Sequence, residues 1–465
     1  NFEFSGRKMR LRIFLLAAVF LPSFLLAQTT SISPYSGFGL GELSPQGYDY
    51  SFAMGGVGFG FNDSLSINPM NPASYSNFKR HNPIFQLGYK MQFLNLESEV
   101  NTESINNGTI NNIAIGFKLS KKFSWAFGFN PATTVGYNIV TGQMIEDSDG
   151  NEVPVKYLFQ GDGGYTKIFT GFSYSIFEKV DTLLGKLSSL STGININYFT
   201  GSKRSLYNVI YESNDFSYYN TSYEEKEIIS DFGFDLGLQY QTFLKKVSTT
   251  DYVNLSLGLS FNIPKNLNTK WESLYYTFSY DATNEPFPQD TIFYSDDLEG
   301  KSFIPLRMGV GLMLDINNKW QIGIDFEKQN WDDFKQVVND LEIPNNRLTD
   351  SWRVSAGAQF AMVPLSLVKM NTPYFQTITF RLGGRYSTDY LKFENYQLED
   401  KAVSLGFKFP LSKSQSYSSI NIGTEFGSKG TTDNNLIKED YINVMIGVIL
   451  LPHRFNKWFV KKKYN

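Results

Sequence analysis

The sequence predicts an all-β protein: a 14-stranded antiparallel transmembrane β-barrel with an N-terminal plug segment. Three observations carry this expectation. A secretory-type leader opens the chain, an apolar/polar alternation runs along most of it, and the composition is aromatic without being continuously apolar. The 465 residues include 41 Phe, 28 Tyr and 38 Gly. Beyond the leader no run of 18 apolar residues occurs. A helical membrane protein needs several such runs, whereas a barrel needs none because only every second strand residue faces lipid. Cysteine is absent, which excludes disulfides, thiolate metal sites, a Cys nucleophile and a lipoprotein anchor.

The leader comes first. Arg10 and Arg12 precede an apolar run from Ile13 to Leu26, and Ala27 supplies a small residue for cleavage, so residues 1–27 read as a signal peptide. Met9 is its expected start, with residues 1–8 an upstream extension. Removing residues 1–27 takes away four basic residues and one acid, leaving 38 basic against 44 acidic, so the net charge moves from −3 to −6. A mildly acidic exported chain is poorly suited to nucleic acid.

The strands follow. Val253, Leu255, Leu257, Leu259, Phe261 and Ile263 alternate with Asn254, Ser256, Gly258, Ser260 and Asn262. Trp320, Ile322, Ile324 and Phe326 likewise oppose Gln321, Gly323, Asp325 and Glu327. Near the end Ile442 to Leu450 alternates with a mixed second face, as in a wall packed from inside. The pattern gives strands near 83–100, 108–119, 123–145, 152–177, 191–212, 216–242, 252–264, 300–315, 319–333, 349–361, 374–391, 394–410, 417–428 and 436–450. Fourteen is even, as single-chain bacterial barrels require. A soluble β-sandwich alternates in the same way, and the leader, the length and the strand count decide between the two. The barrel therefore spans 83–450, followed by a basic tail at 451–465.

The connections fit a membrane orientation. Ser120 to Lys122, Asn317-Asn318 and Leu411 to Gln415 fall on one side as short turns. The longest connection, 265–299, falls on the other side and carries both aromatic and acidic residues. Connections 178–190 and 362–373 are long for periplasmic turns.

Residues 28–82 do not alternate. They contain Met54-Gly55-Gly56-Val57-Gly58 and Asn71-Pro72-Ala73, with Tyr35, Phe38, Phe52, Phe59 and Phe61 between glycines. A flexible leader and a periplasmic arm are alternatives, but the aromatic residues suit a packed plug. This text, with its position ahead of strand one, resembles the hatch of the FadL-like outer-membrane transport family. That family also includes accessory barrels of the type 9 secretion system such as PorV. The resemblance implies a Gram-negative outer-membrane channel for passive uptake of hydrophobic small molecules such as long-chain fatty acids. It also implies the alternative, a non-transporting accessory barrel that contacts secretion-system proteins. Outer-membrane lipid and a hydrophobic ligand are the expected partners.

Candidate site residues are few. Asn71, Pro72 and Ala73 form the hatch motif. Asn130 and Pro131 interrupt the third strand, and since proline cannot donate to a ladder a kink or bulge is expected there. In the FadL-like family such a kink opens the wall sideways, which makes Asn130, Pro131, Gly163 and Gly164 a lateral-gate candidate. Asp235, Arg307, Asp325, Arg353, Arg381, Arg385 and Glu425 lie on or near polar faces. They read as a paired lumenal network, with a carboxylate site as the alternative. His81 and His453 are the only histidines and stand in no catalytic or metal-binding spacing. No enzyme, metal or cofactor is expected. Lys461 to Lys463, with Trp458 and Phe459, read as a solvated end anchored at the membrane interface.

Overall fold

A computed structural model describes residues 33–451 apart from 45–46, 81, 147–149, 151, 182–184, 212–218, 249, 281–285, 365–366 and 413–416. The signal segment, His81, His453 and the basic tail beyond Leu451 lie outside the described residues.

Fourteen staves close into a barrel. In chain order the strands are β1 (Glu42–Leu43), β2 (Ile84–Glu97), β3 (Thr102–Lys118), β4 (Phe123–Pro131), β5 (Thr133–Glu146), β6 (Glu152–Asp181), β7 (Gly185–Tyr211) and β8 (Asn220–Lys246). They continue with β9 (Tyr252–Asn262), β10 (Lys265–Tyr280), β11 (Pro286–Ile304), β12 (Arg307–Ile316), β13 (Trp320–Gln329), β14 (Lys335–Val338) and β15 (Leu341–Ile343). The last are β16 (Ser351–Ala361), β17 (Thr379–Phe393), β18 (Tyr396–Pro410), β19 (Ser419–Lys429) and β20 (Lys438–Leu450). Five staves are broken into two strands each: β4 with β5, β9 with β10, β11 with β12, β13 with β14, and β15 with β16. The first and last staves, β2 and β20, pair from Phe85↔Leu450 to Glu97↔Lys438 and close the ring.

The alternation works as lipid contact predicts. Leu257, Leu259 and Phe261 of β9, Val310 and Leu312 of β12, and Ile322, Ile324 and Phe326 of β13 are exposed. Ser256, Ser260, Gln321 and Asp325 between them are buried. Apolar exposure on this scale is untenable in water, and a bilayer is the solvent that accepts it. Aromatic pairs mark both interfaces. Trp320 packs on Phe360 at the turn side; Tyr198 on Phe232 and Trp352 on Tyr386 mark the opposite rim.

Above that rim the wall becomes lopsided. β6, β7 and β8 have 30, 27 and 27 residues, whereas β13 and β16 to β20 have only 10 to 15. The long strands rise into a tall sheet ordered β5-β6-β7-β8-β10-β11-β14-β15. From Tyr198 to the end of β7 this adds about 40 Å of strand. Three sequence expectations are corrected here. Residues 265–299 are not a loop but most of a hairpin, β10 with β11. The connection expected at 178–190 is short, because β6 continues to Asp181 and β7 starts at Gly185. The second strand starts at Thr102 rather than 108. All three stretches lie outside the bilayer, where neither face has to be apolar. The connection after β16 remains long and holds the 3₁₀ turn Tyr374–Thr377.

The N-terminal segment packs inside the barrel. It holds the 3₁₀ turn Pro34–Gly37, the helical turn α1 (Asp49–Phe52) and the 3₁₀ turn Pro72–Asn77. Tyr48, Tyr50, Met54, Phe59, Ile67, Met70 and Tyr75 are fully buried among wall residues such as Phe169. The wall yields to it by carrying glycine where the plug backbone passes. A Cβ on Gly258 would overlap the Phe59 carbonyl oxygen, one on Gly383 the Met54 backbone, and one on Gly406 the Ala53 side chain.

Candidate functional site: hatch, cavity and seam

The hatch motif is a hydrogen-bonded knot. Asn71 is the N-cap of the turn Pro72–Asn77; its Oδ1 accepts from the Ala73 N–H at 3.1 Å. Its Nδ2 donates to the Phe59 carbonyl at 2.9 Å and to the Leu238 carbonyl of β8 at 3.2 Å. One side chain thus ties the turn, the preceding glycine-rich stretch and the wall together. Pro72 and Ala73 lie against Gly193 and Gly237.

A second anchor holds the glycine-rich stretch. Asp325 accepts from the Gly58 N–H at 2.6 Å and the Phe59 N–H at 2.8 Å. Ser404 accepts from the Gly55 N–H at 2.8 Å, and Asn195 donates to the Pro69 carbonyl at 3.2 Å. Sequence reasoning placed Asp325 on a polar face without finding this role. Its partners lie more than 260 positions away, and the only local sign was an acid on a lumenal face.

The third stave breaks at Ala132. β4 pairs with β3 only from Ser124↔Lys118 to Phe129↔Ile113. Beyond that point β3 is paired with β2 alone, while β5 pairs with β6. Pro131 lacks an N–H, and the ladder to β6 slips between Pro131↔Thr166 and Val135↔Gly163. Gly163 and Gly164 oppose the break with φ of 108° and 133°, and Gly201 on β7 follows with φ of 140°. Three neighbouring staves therefore bend at one level. Asn130 is buried beside Pro131 and donates to the Pro131 carbonyl at 3.2 Å. The seam left between β3 and β5 is partly filled from within. β1 pairs with β5 through Glu42↔Thr134 and Leu43↔Thr133, and Ser44 donates to the Ala132 carbonyl at 3.0 Å.

Behind that seam lies a cavity of about 120 Å³. Leu40, Leu43, Pro131, Tyr165, Phe199 and Leu267 are among its apolar walls, and Lys167, Asp235 and Arg307 form its polar side. A lid of Tyr35, Leu40, Trp331, Phe334, Leu348 and Tyr390, packed as one cluster, covers the extracellular mouth. Tyr390 fastens the lid by donating to the carbonyls of Phe38 (3.2 Å) and Gly41 (2.5 Å).

The lumenal charges are paired. Lys167 and Arg307 each lie 3.7 Å from Asp235; Arg307 and Arg353 lie 3.6 and 3.4 Å from Glu327. Arg385 bridges Asp400 at 2.6 Å and Glu425 at 3.1 Å. Arg381 instead donates to Gln359 and Asn421. Such pairing is what buried charge demands. Above the membrane, burial pushes the Glu227 carboxyl up and the neighbouring Lys203 ammonium down. Lys203 donates to the Gly39 carbonyl at 2.8 Å. No group of His, Cys, Asp and Glu suited to a metal occurs among the described residues.

Comparison with known proteins completes the description. The model of the BamG family matches residues 9–465. The toluene transporter TbuX of Ralstonia pickettii superposes with a TM-score of 0.53 at 14% identity, covering 88% of this chain and 100% of its own. The monoaromatic hydrocarbon channel CymD gives 0.51 at 14% identity, covering 90% and 99%. The toluene transporter TodX of Pseudomonas putida gives 0.50 at 14%, covering 89% and 99%. No curated protein sequence matches the chain.

Proposed function

The chain belongs to the BamG family, and from that premise we propose that this outer-membrane barrel is a passive channel for hydrophobic small molecules. The observation that carries the reading is the apolar cavity lying directly behind the interrupted third stave. Its volume is close to the roughly 150 Å³ of an engineered apolar cavity that takes up benzene. Compact one-ring molecules, the class named for the structural neighbours TbuX and CymD, match it in size. A long acyl chain gains about 0.8 kcal/mol for each buried CH₂, but it is too large for a cavity of about 120 Å³. In this reading a ligand passes the lid at Leu40 and Trp331, rests above the hatch, and leaves sideways at Pro131, with Asn130, Gly163 and Gly164 shaping the gate. Asn71, Pro72 and Ala73 keep the axial path shut. No enzymatic step is invoked.

The test fills the cavity. Ala132→Trp in the full-length protein is expected to cut uptake of labelled toluene by intact cells at least tenfold, with barrel content unchanged. Uptake equal to wild type would sink the reading. A second reading, an accessory barrel of a secretion system, draws on the lumen occupied by the N-terminal segment and the tall sheet with exposed Phe287, Phe293 and Tyr294. Native mass spectrometry separates the two: co-purified hydrophobic ligand favours the channel, and a stoichiometric protein partner with an empty cavity favours the accessory role.

A further inference from the structure

The tall sheet has two lateral edges, and they are built differently. β15 at one edge has three residues, Leu341-Glu342-Ile343; it carries a charge and is followed by Pro344. Shortness, charge and proline are the devices by which exposed edges avoid pairing with other chains. β5 at the other edge has none of them before its last residue, Glu146. From Tyr137 to Ile145 its sequence is Tyr-Asn-Ile-Val-Thr-Gly-Gln-Met-Ile, without a charged residue or a proline. Val140 and Met144 are more than half exposed. Among the described residues no strand pairs with this edge beyond the short β1 contact at its base.

Backbone geometry says what the edge offers. Alternate residues of an edge strand turn both N–H and C=O away from the sheet. On β5 this is the even series. Ser44 donates to the Ala132 carbonyl, Ser33 donates to the Gly136 carbonyl at 3.0 Å, and the Gly136 N–H donates to Ser36 Oγ at 3.0 Å. Asn138, Val140, Gly142 and Met144 continue that series above the point where the N-terminal segment is placed. The base of the edge therefore already accepts added backbone, and the register for further addition is set.

We propose that the edge of β5 from Tyr137 to Ile145 is a strand-addition site that takes an extended, uncharged polypeptide segment of a partner protein. Main-chain hydrogen bonds supply affinity in this mode, and alternate side chains supply selectivity. The inner face selects for apolar residues. Ile139 starts an in-register row that continues through Phe159, Tyr207, Tyr223, Tyr275 and Phe293 across the sheet. An added strand extends that row by one side chain. The outer face of the same edge presents Asn138, Val140, Gly142 and Met144, with Gln160 and Leu158 next to the first two on β6, so it offers no comparable aromatic row. Neither the channel nor the accessory reading is needed for this inference.

Amide hydrogen exchange on the full-length chain tests it, comparing native outer-membrane fragments with detergent-purified protein. Expected in membranes is at least tenfold slower exchange at Asn138, Val140 and Gly142, with Ile139 and Thr141 unchanged because they already bond β6. Val140→Pro, which removes one outward N–H, should abolish the difference, whereas Val140→Thr should keep it. Equal exchange in both preparations overturns the proposal. So does slow exchange that survives Val140→Pro. Protection already present in purified protein also overturns it, because the added strand would then belong to the chain itself.

Discussion

Below the upper aromatic rim, the wall is packed from inside; above it, the same strands stand with both faces open. In the lower region a stave meets lipid on one side and, over much of its inner face, the N-terminal segment on the other. In the upper region, β6 to β8 and the β10–β11 hairpin carry exposed aromatic rows and surface ion pairs. The difference shows that one strand can be held by two kinds of force. Packing and buried hydrogen bonds hold its lower half, and ladder bonds with cross-strand pairs hold its upper half.

Substitution at matched positions sharpens this contrast. The largest effect is expected for Gly258→Val, whose Cβ runs into the Phe59 carbonyl. Overpacking of this kind costs about 3 kcal/mol, and proteolysis of the N-terminal segment should become rapid. Asp325→Ala strips two buried N–H groups of their acceptor and should loosen the plug by about 2–3 kcal/mol, seen as faster exchange at Gly58 and Phe59. Asn71→Ala removes a cap and two donor contacts, for about 1–2 kcal/mol by the same readout. In the tall sheet, Phe159→Ala loses its stack on Tyr207, 4.9 Å between centroids, worth about 0.5–1 kcal/mol. The barrel's own unfolding midpoint should not move. Smallest is Gly142→Val, where a new Cβ meets only the Val155 carbonyl at 3.6 Å; a change within about 0.5 kcal/mol is expected. If Gly142→Val proved as damaging as Gly258→Val, the division into two regimes would fail.

The same contrast explains what the residues announced in advance. Alternation located the lower staves because it records which side meets hydrocarbon. It faded at Thr102–Asn107 and along 265–299, which are strands beyond the bilayer, where threonine, tyrosine and asparagine serve on either face. β-propensity persisted there without periodicity, and periodicity was the signal being read. Pro131 announced a break in the ladder because its missing N–H is a local fact. Asp325 could not announce its partners, since nothing local marks an acceptor for amides on a distant segment. The glycines of the polar faces carried more meaning than composition suggested; several are the clearance the plug occupies.

The position of α1 has a consequence for how the ring comes together. Asp49 accepts hydrogen bonds from Gln86 on β2 and Asn421 on β19, and its carboxylate lies where a Cβ on Gly447 of β20 would stand. These are the staves on either side of the join between the two ends of the wall, strands more than 300 residues apart in sequence. Bringing such distant strands together is the step most opposed by chain entropy. A segment synthesised before any stave, and bonded to both sides of that join, acts as a clasp: it shortens the search by which the last strand finds the first.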